Sequence, residues 1–562
     1  RVAELLGLPV ITNVLALEPK DGGISAKQET EDGYRVVEAS CPCVVTIVKP
    51  DYEPRYPSIK SKMAARKMPI TDLSLADVEA DAGKFGPEAA KVRRVALSAP
   101  PQRQSGVKIQ EKEAAELAQG EAVETDIVIV GAGISGLMAA YELKEDYPDV
   151  SFIVLEKLDM VSGSLPASGG AIAGISSEYH VRDGVECTTE DFDVLFTYTS
   201  GTQVRTELVE NVYAKSDVLL NRLIAYGTPF TGETEATSTY SDKVYAIRTE
   251  NRGQSFGDFL NSYVKENTFD LRMGTTATEL IVEDGKVTGV VAEDREQRYD
   301  IHAKAVILAT GGFGNNPELM EEYLPLFADG VLSTNAGATG DGIVMTRPFG
   351  TKIVGDGSMG SIVAPDGSDL IAANFLVNLN GERFVGEGEP KYVLQRAVSQ
   401  QPEKAAFLIA DANYADMDTI NQKIEKGYVK QYDTIEALAE DNGIDAEQLQ
   451  KTIDAYNQAA DAGEAIPALE YELAAAKATK VETAPFYIEK VTLRTFGTIP
   501  GIEVNDNCQV LDGEGQVVEG LYASGELIAG NAFTRQYPGV GIGVSFAANS
   551  GRFAAETAAE GL

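Results

Sequence analysis

Three glycines that follow a run of β-favouring residues could bind a dinucleotide. Residues 127–130 lead directly into Gly131, Gly133 and Gly136, and a helical pattern of apolar residues comes next. Gly131 permits a tight turn, Gly133 lets the backbone approach phosphates, and Gly136 allows the strand and helix to pack closely. The N–H groups at the start of the helix attract an anion. The spacing therefore predicts a turn that binds a pyrophosphate.

An acidic residue ends the second predicted strand. Residues 151–155 form an apolar run that leads into Glu156, which lies 23 positions after Gly133 (156 − 133). A carboxylate at this distance is placed to accept hydrogen bonds from both hydroxyls of an adenosine ribose. The alternative is a glycine-rich turn in an unrelated α/β protein, and the second strand with its acid argues against it.

Further segments predict how the chain surrounds the rest of the ligand. Small residues across 159–170 would let the chain wrap a ribityl chain and pyrophosphate without steric conflict. A strand at 305–313 ends in Ala-Thr-Gly-Gly, Gly-Asp-Gly occupies 340–342, and Ser-Gly-Glu occupies 524–526. The first two strands alone fit NAD as well as FAD, and these added segments favour FAD.

The last predicted helix begins after residues 538–543. Its N-terminus could stabilise negative charge on the N1–O2 edge of a reduced flavin. The predicted cofactor-binding residues are Gly131, Ala132, Gly133, Ser135, Gly136, Glu156, Lys157, Gly163, Ser164, Ser168, Gly169, Gly170, Thr278, Ala309, Thr310, Gly311, Asp341, Gly525, Glu526, Gly541 and Ile542.

Length and composition limit the class of protein. A chain of 562 residues can form two to four domains, and 44% hydrophobic residues with 54 glycines fit an α/β enzyme. The formal net charge of −38 repels nucleic acid and anionic membranes. Four scattered cysteines predict neither a disulfide framework nor a metal centre.

The sequence also carries expectations about location. No apolar run reaches the roughly 18 residues of a membrane span, and the start of the chain lacks a signal-peptide pattern. We therefore expect a cytoplasmic protein without membrane insertion. The first residue is Arg1 rather than Met, which is consistent with a fragment.

Residues 124–562 resemble the superfamily of flavoprotein fumarate reductases and 3-ketosteroid dehydrogenases. Asn-Gly-Glu-Arg-Phe-Val at 380–385 and the segment 443–457 are similar to its mobile capping domain. The resemblance implies an α/β fold, with a Rossmann-like FAD-binding domain at 121–360 and 490–562 and an inserted α+β cap at 361–489. It also implies FAD, which we expect to be bound non-covalently.

The resemblance implies hydride transfer from flavin N5 to the activated C=C bond of an α,β-unsaturated carboxylic acid or ketone. The acid of the fumarate reductases, an arginine of the cap, falls on Lys391, and the adjacent Tyr392 could serve instead. A substrate-binding histidine falls on Arg494, and the arginine that clamps a carboxylate falls on Arg535. A further family histidine, near residues 358–361, has no counterpart. These departures argue against fumarate itself.

A tyrosine motif favours a ketone as a second possibility. Tyr-Pro-Gly-Val-Gly at 537–541 resembles a motif of the ketosteroid dehydrogenases, in which a tyrosine hydroxyl and a glycine N–H polarise a ketone. Those roles would fall on Tyr537 and Gly541. The two histidines, His180 and His302, are expected to be structural, so the acid is a lysine, an arginine or a tyrosine.

The first 120 residues are predicted to form a small α/β segment of their own. Glu-Pro-Arg-Tyr at 53–56, Met-Ala-Ala-Arg-Lys at 63–67 and the segment 101–107 resemble the C-terminal half of the electron-transfer-flavoprotein β subunit. In that family a loop with an aliphatic residue, here Ile59, anchors the flavoprotein on its partner. The nucleotide-binding half of that family is absent, so the segment is a docking element or a structural remnant, and a misassembled or processed fusion is the alternative.

Two alternative functions and the identity of the electron donor remain open at the level of sequence. The enzyme could work in the oxidative direction, as a ketosteroid-type dehydrogenase with a tyrosine base. The chain could also be a non-catalytic flavoprotein that relays electrons or docks a partner. Electrons could come from a partner flavoprotein, another reductase or reduced nicotinamide, since no haem or iron–sulfur ligands are present.

Overall fold

The computed structural model describes residues 3, 7–30, 33–47 and 118–562, apart from 202, 203, 239, 268, 374 and 415. The chain separates into two compact units, residues 1–109 and 110–562. The boundary predicted at residue 120 falls shortly after this division, and the bounds of the inserted cap stay predictions. The motifs at 53–56, 63–67 and 101–107, and Ile59 with them, lie outside the described residues.

The described part of the first unit is a four-stranded sheet. The three longer strands are antiparallel neighbours, and the short strand Val44–Ile47 pairs in parallel with Val10–Lys20. Ile11, Val14 and Ala26 form its small buried core. In sheet order the strands are Gly33–Ser40, Gly23–Thr30, Val10–Lys20 and Val44–Ile47.

A mixed sheet of nine described strands forms the centre of the second unit. Five of its strands pair in parallel in the order 270–273, 152–156, 123–130, 297–308 and 517–523. An antiparallel hairpin of the strands 276–283 and 286–293 extends the sheet from the strand 297–308. The turn of that hairpin is Asp284-Gly285, where both residues have positive φ, as an Asp-Gly turn requires. The strands are Ala118–Gln119, Val123–Val130, Phe152–Glu156, Asp270–Met273, Thr276–Glu283, Lys286–Glu293, Gln297–Leu308, Gln509–Leu511 and Val517–Ala523.

A second sheet is organised by one long strand, Phe486–Thr498, which we call the cavity strand. It pairs with Ser358–Val363, which spans the predicted start of the cap at residue 361, and with Ala406–Ala410, which lies within the predicted cap. The strands of this sheet and of the smaller sheets are Val331–Leu332, Ser358–Val363, Leu376–Asn378, Ala406–Ala410, Val429–Tyr432 and Phe486–Thr498; Ala171–Ala173, Phe230–Ser238 and Ser241–Thr249; Ile353–Val354 and Gly501–Ile502; Ile466–Pro467 and Glu472–Leu473.

Helices cover the sheets. The helix after the glycine turn, Ile134–Asp146, is buried along residues 134–143 because it lies between the central sheet and the C-terminal helix, Ile542–Glu560. The other α-helices are Glu178–Asp183, Thr189–Ser200, Thr206–Tyr213, Ser216–Ala225, Arg252–Glu266, Pro317–Tyr323, Asp341–Thr346, Lys391–Ser399, Met417–Glu425, Ile435–Asn442 and Ala446–Ala462, with 3₁₀ turns at Leu165–Ala167, Arg347–Phe349, Pro402–Lys404, Ala475–Lys477 and Gly525–Asn531. Among the described helices, none has the length and apolar character needed to cross a membrane.

His180 has the surroundings of a structural residue, and His302 belongs to a strand of the central sheet. His180 is buried in the short helix Glu178–Asp183, and its ring bonds to Ser177 Oγ at 2.6 Å and the Tyr245 backbone oxygen at 3.2 Å. Burial lowers its pKa, which keeps the ring neutral. His302 is half-buried within the strand Gln297–Leu308. Neither lines the cavity described below.

Candidate active site

One cavity of about 460 Å³ begins at the carboxyl ends of the parallel strands. The strands 123–130, 152–156, 297–308 and 517–523 all end at this edge of the central sheet, where ligands bind in open α/β sheets. The cavity continues to the cavity strand and the predicted cap. Its wall includes these residues predicted from the sequence: Gly131, Gly133, Ser135, Glu156, Lys157, Gly163, Ser164, Ser168, Gly169, Ala309, Thr310, Gly311, Asp341, Lys391, Arg494, Gly525, Glu526, Tyr537 and Gly541.

The glycine turn leaves one face of the backbone open. Gly131 has φ of 109°, and a Cβ there would lie 2.4 Å from the Ala309 backbone oxygen. A Cβ at Gly136 would lie 1.8 Å from the Gly131 backbone oxygen, whereas a Cβ at Gly133 would meet no atom within 4 Å. The helix that follows has neither a side-chain cap nor an acidic residue in its first turn. Its free N–H groups therefore face the cavity, where an anion would bind.

Glu156 is held by the backbone and faces the cavity. Its Oε2 accepts the Ala132 N–H at 2.9 Å and its Oε1 accepts the Leu158 N–H at 2.9 Å. Burial raises the pKa of this carboxyl group. Each oxygen keeps a further acceptor position for a ligand hydroxyl. The neighbouring Lys157 donates to Asp341 Oδ2 at 2.7 Å, so its charge is already paired.

Two polar groups lie in the middle of the cavity wall. Glu526 Oε1 accepts from the N–H of Thr498 at 2.7 Å and from its hydroxyl at 2.9 Å, and burial raises the pKa of Glu526. Thr310 Oγ1 is buried and has no hydrogen-bond partner among the described residues. An unpaired buried hydroxyl is costly, so a bound ligand is expected to supply the partner.

The start of the C-terminal helix forms another part of the wall. Gly541 has φ of 78° at its N-cap, where no side chain caps the helix. The Tyr537 hydroxyl accepts the Gly543 N–H at 2.9 Å, and burial raises the pKa of Tyr537 to about 12. Tyr537 therefore stays protonated at neutral pH. Its ring packs edge-on against Tyr392, with centroids 5.8 Å apart.

Besides Lys157 and Arg252, two cationic residues from different elements line the cavity. Arg494 lies on the cavity strand and is half-buried, and its Nε donates to Ser333 Oγ at 3.0 Å. Among the described residues no carboxylate pairs with it. Lys391 begins the helix Lys391–Ser399, which we call the cap helix, and its Nζ lies 3.6 Å from Asp369 Oδ1. The cavity thus joins an anion-binding end to a second end that holds a free guanidinium and a lysine–aspartate pair.

The FAD binding domain family matches residues 126–544, which is most of the chain. The chain belongs to this family. It is 30% identical to urocanate reductase of Eggerthella lenta over 466 residues, which cover 77% of this chain and 74% of that protein. Residues 1–78 match the electron transfer flavoprotein domain, as the sequence motifs predicted.

Solved structures confirm the predicted fold class. A flavocytochrome c3 fumarate reductase in its open conformation aligns with a TM-score of 0.60 and 26% identity, over 78% of each chain. A 3-ketosteroid Δ4-(5α)-dehydrogenase from Rhodococcus jostii aligns with a TM-score of 0.64 and 21% identity, over 78% of this chain and 97% of that chain, and shares the fold. The resemblance stated from the sequence is confirmed. The protein is a flavin-dependent oxidoreductase whose cofactor is FAD.

The residues of the cavity fit FAD. The free N–H groups after Gly133 suit its pyrophosphate, and the Glu156 carboxylate suits the hydroxyls of its adenosine ribose. The unpaired Thr310 hydroxyl and Glu526 lie between these groups and the C-terminal helix. Assignment of FAD contacts to individual residues stays a prediction, as does non-covalent attachment.

Some predicted residues lie behind the wall rather than on it. Gly136 supports the turn, Ala132 holds Glu156, and Gly170 and Ile542 are buried next to wall residues. Thr278 does not line the cavity; its hydroxyl donates to the Val291 backbone oxygen, and Ala277 forms the wall instead.

Two predicted catalytic residues also lie off the wall. Tyr392 is half-buried behind Tyr537 and donates to the Pro538 backbone oxygen at 3.3 Å. Arg535 is exposed, and its backbone oxygen accepts a hydrogen bond from Arg396. The structure therefore brings Lys391, Arg494, Tyr537 and Gly541 to one cavity, without Arg535 or the Tyr392 side chain.

Several wall residues were missed by the sequence interpretation. Ser333 reaches Arg494 because the strand Val331–Leu332 pairs with the cavity strand, and Asp369 reaches Lys391 from a loop. Asn335 lies in the turn before the Gly-Asp-Gly motif and donates to the Gly163 backbone oxygen at 2.8 Å. The motif could have drawn attention to Asn335, whereas the other two carried no local signal.

Proposed function

We propose that this enzyme reduces the C=C bond of an α,β-unsaturated monocarboxylic acid. The single observation that carries the proposal is the charge at the cap end of the cavity. Among described wall residues from 359 onward, the cations are Arg494, which has no acidic partner, and Lys391, which has Asp369. One unpaired cation suits one carboxylate.

The rest of this end suits an apolar substituent. Met359 and Phe496 line the cavity here, and the Phe496 side chain is partly exposed. A second substrate carboxylate would be placed against these apolar groups, which is unfavourable. The urocanate and fumarate named for its relatives are both α,β-unsaturated acids, which supports the reaction class.

Arg494 has the geometry to bind and polarise the substrate carboxylate. Its Nε is fixed by Ser333, so the two terminal nitrogens remain free to donate two parallel hydrogen bonds to a carboxylate. Negative charge grows on that carboxylate as the β carbon accepts a hydride, and a preorganised guanidinium stabilises this charge. FAD, when bound and reduced, supplies the hydride.

Lys391 is positioned to complete the reaction as the acid. The α carbon gains a proton as the β carbon gains the hydride, which converts the C=C bond into a saturated CH–CH unit. Lys391 lines the same cavity, and its ammonium group can donate that proton. The half-buried rings of Tyr392 and Tyr537, which pack against each other, shield one side from water.

A substrate panel tests the function. We expect the anaerobically reduced protein to be reoxidised rapidly by monocarboxylic enoates with an apolar β substituent and at least about thirtyfold more slowly by fumarate, since one good charge pair is worth about 2 kcal/mol or more. Flavin absorbance reports each reaction. Faster reoxidation by fumarate than by every monocarboxylic acid would contradict the proposal.

Replacement of Lys391 tests the acid. Lys391→Met is expected to lower kcat by about 10²- to 10⁴-fold, which is the usual contribution of a positioned acid, while the flavin is still reduced by its donor at the normal rate. Lys451→Met, which removes an exposed lysine from the helix Ala446–Ala462, is the control. Wild-type kcat in Lys391→Met would exclude Lys391 as the acid.

A ketone substrate is the second candidate, and one observation favours it. The Tyr537 hydroxyl accepts from Gly543, so its own proton is free to donate into the cavity, and its pKa of about 12 keeps that proton in place. The proton could polarise a carbonyl oxygen. Inclusion of 3-ketosteroids and simple enones in the same panel, in both redox directions, decides between the candidates.

The electron donor is inferred from the first unit. Residues 1–78 match a domain of electron transfer flavoproteins, which supports a partner flavoprotein that docks through this unit. Ile59, the predicted anchor, lies outside the described residues. Reduced nicotinamide remains the alternative donor, and the rate of flavin reduction by each donor distinguishes them.

A further inference from the structure

A glutamine of the cap helix connects the two proposed catalytic side chains. Gln395 lies one helical turn after Lys391, and 1% of its surface is exposed. Its Nε2 donates to the backbone oxygen of Arg494 at 2.9 Å and to Ser358 Oγ at 3.3 Å. Both acceptors belong to strands that pair beside the cavity. One amide therefore joins the helix of the proposed acid to the strand of the proposed carboxylate-binding arginine.

Gly360, in the strand Ser358–Val363, leaves space for the Gln395 amide. A Cβ added to Gly360 would lie 2.0 Å from Gln395 Nε2 and 2.2 Å from the Arg494 backbone oxygen. The pairing register also shifts between Met359 and Gly360, which is the point where the amide enters. A residue larger than glycine would displace the amide from the Arg494 carbonyl. The acceptor Ser358 is itself bonded to Thr495 Oγ1 at 2.9 Å.

The cap helix has other polar contacts that attach it to the same region. Tyr392 donates to the Pro538 backbone oxygen, and Arg396 donates to the backbone oxygen of Arg535 at 3.1 Å. These contacts do not touch the cavity strand. Loss of the Gln395 amide alone would leave the helix attached while removing the bond that fixes it relative to Arg494.

We propose that Gln395 is a positioning residue that fixes the separation of Lys391 and Arg494. A substrate whose carboxylate is bound by Arg494 then has its α carbon within reach of the Lys391 ammonium group. Rate depends steeply on this geometry, because a misplacement of about 1 Å can cost on the order of a hundredfold in kcat. The inference rests on the proposed function, since it assumes the roles of those two residues.

Gln395→Met tests the inference, because methionine keeps the volume and removes the amide. We expect kcat to fall by about 10- to 100-fold, while the affinity for a saturated carboxylate product changes by less than about threefold. Hydrogen exchange across residues 391–399 should become faster in the holoprotein, because the helix loses a buried bond. Gln401→Met is the control, since Gln401 bonds to Ala397 and Asn378 within the cap.

A double variant separates positioning from a general loss of stability. If Gln395 acts through Lys391, Gln395→Met adds little to the loss already caused by Lys391→Met, whereas independent effects multiply. Wild-type kcat in Gln395→Met, multiplicative losses, or unchanged exchange of the cap helix would each overturn the inference. If Lys391→Met alone retains wild-type kcat, the acid assignment fails, and the exchange measurement still decides whether Gln395 fixes the helix.

Discussion

Arg494→Met is expected to lower kcat/KM for an unsaturated monocarboxylic acid by about 10²- to 10³-fold, the usual cost of one preorganised donor to a developing anion. The guanidinium is the cation at the cap end of the cavity that has no acidic partner among the described residues. Methionine keeps much of the side-chain volume, so the FAD content should not change. Steady-state kinetics with flavin absorbance of the purified protein measure both effects.

Arg535→Met provides the decisive comparison. The sequence resemblance places the carboxylate clamp on Arg535, yet that residue is exposed and off the cavity wall. We expect its replacement to cost far less than that of Arg494. Arg347→Met, which breaks an exposed pair with Glu322, serves as the neutral control. A large loss in Arg535→Met with a small loss in Arg494→Met would reverse the assignment.

Gly136→Ala is expected to abolish FAD binding. The new methyl carbon would lie 1.8 Å from the Gly131 backbone oxygen and 3.0 Å from its carbonyl carbon, and neither atom can move without opening the glycine turn. Such a clash cannot be relieved by a side-chain rotation. The measurements are flavin content after purification and the melting temperature.

Gly133→Ala is the matched variant in the same turn. Gly133 has φ of −69° and no atom within 4 Å of an added Cβ, so alanine should be accepted by the fold. The methyl group would instead occupy space needed by the pyrophosphate, and an overpacking cost of about 1–3 kcal/mol corresponds to roughly 5- to 150-fold weaker FAD binding. A Gly136→Ala protein that keeps its flavin and its melting temperature would contradict this account of the turn.

The glycine turn and its acid could be predicted from sequence because their requirements are local. A positive φ at Gly131, a Cβ-free contact at Gly136 and a carboxylate at the end of the next strand are all fixed within about 30 residues, the length of one βαβ unit. The Asp-Gly turn at 284–285 and the C-terminal helix are local in the same sense. The FAD-binding fold followed from these features together.

The direction of individual side chains was harder to predict. Arg494 and Phe496 face the cavity together because alternate residues of a strand share a face. Ala277 lies on the wall and Thr278 does not, and no sequence pattern predicted that difference. Arg535 lies in an irregular segment after the 3₁₀ turn Gly525–Asn531, where no periodicity indicates a direction.

The sequence by itself determined the cofactor and the class of fold. The glycine turn and Glu156 predict a dinucleotide-binding α/β fold, and the segments that end at 313, 342 and 526 favour FAD over NAD. The tertiary structure decided which charged groups meet in the substrate end of the cavity. Ser333 and Gln395 reach Arg494 across long stretches of chain, through strand pairing and a helix face, and Asp369 reaches Lys391 from a loop. Such contacts depend on register and packing between distant segments, which no local spacing encodes.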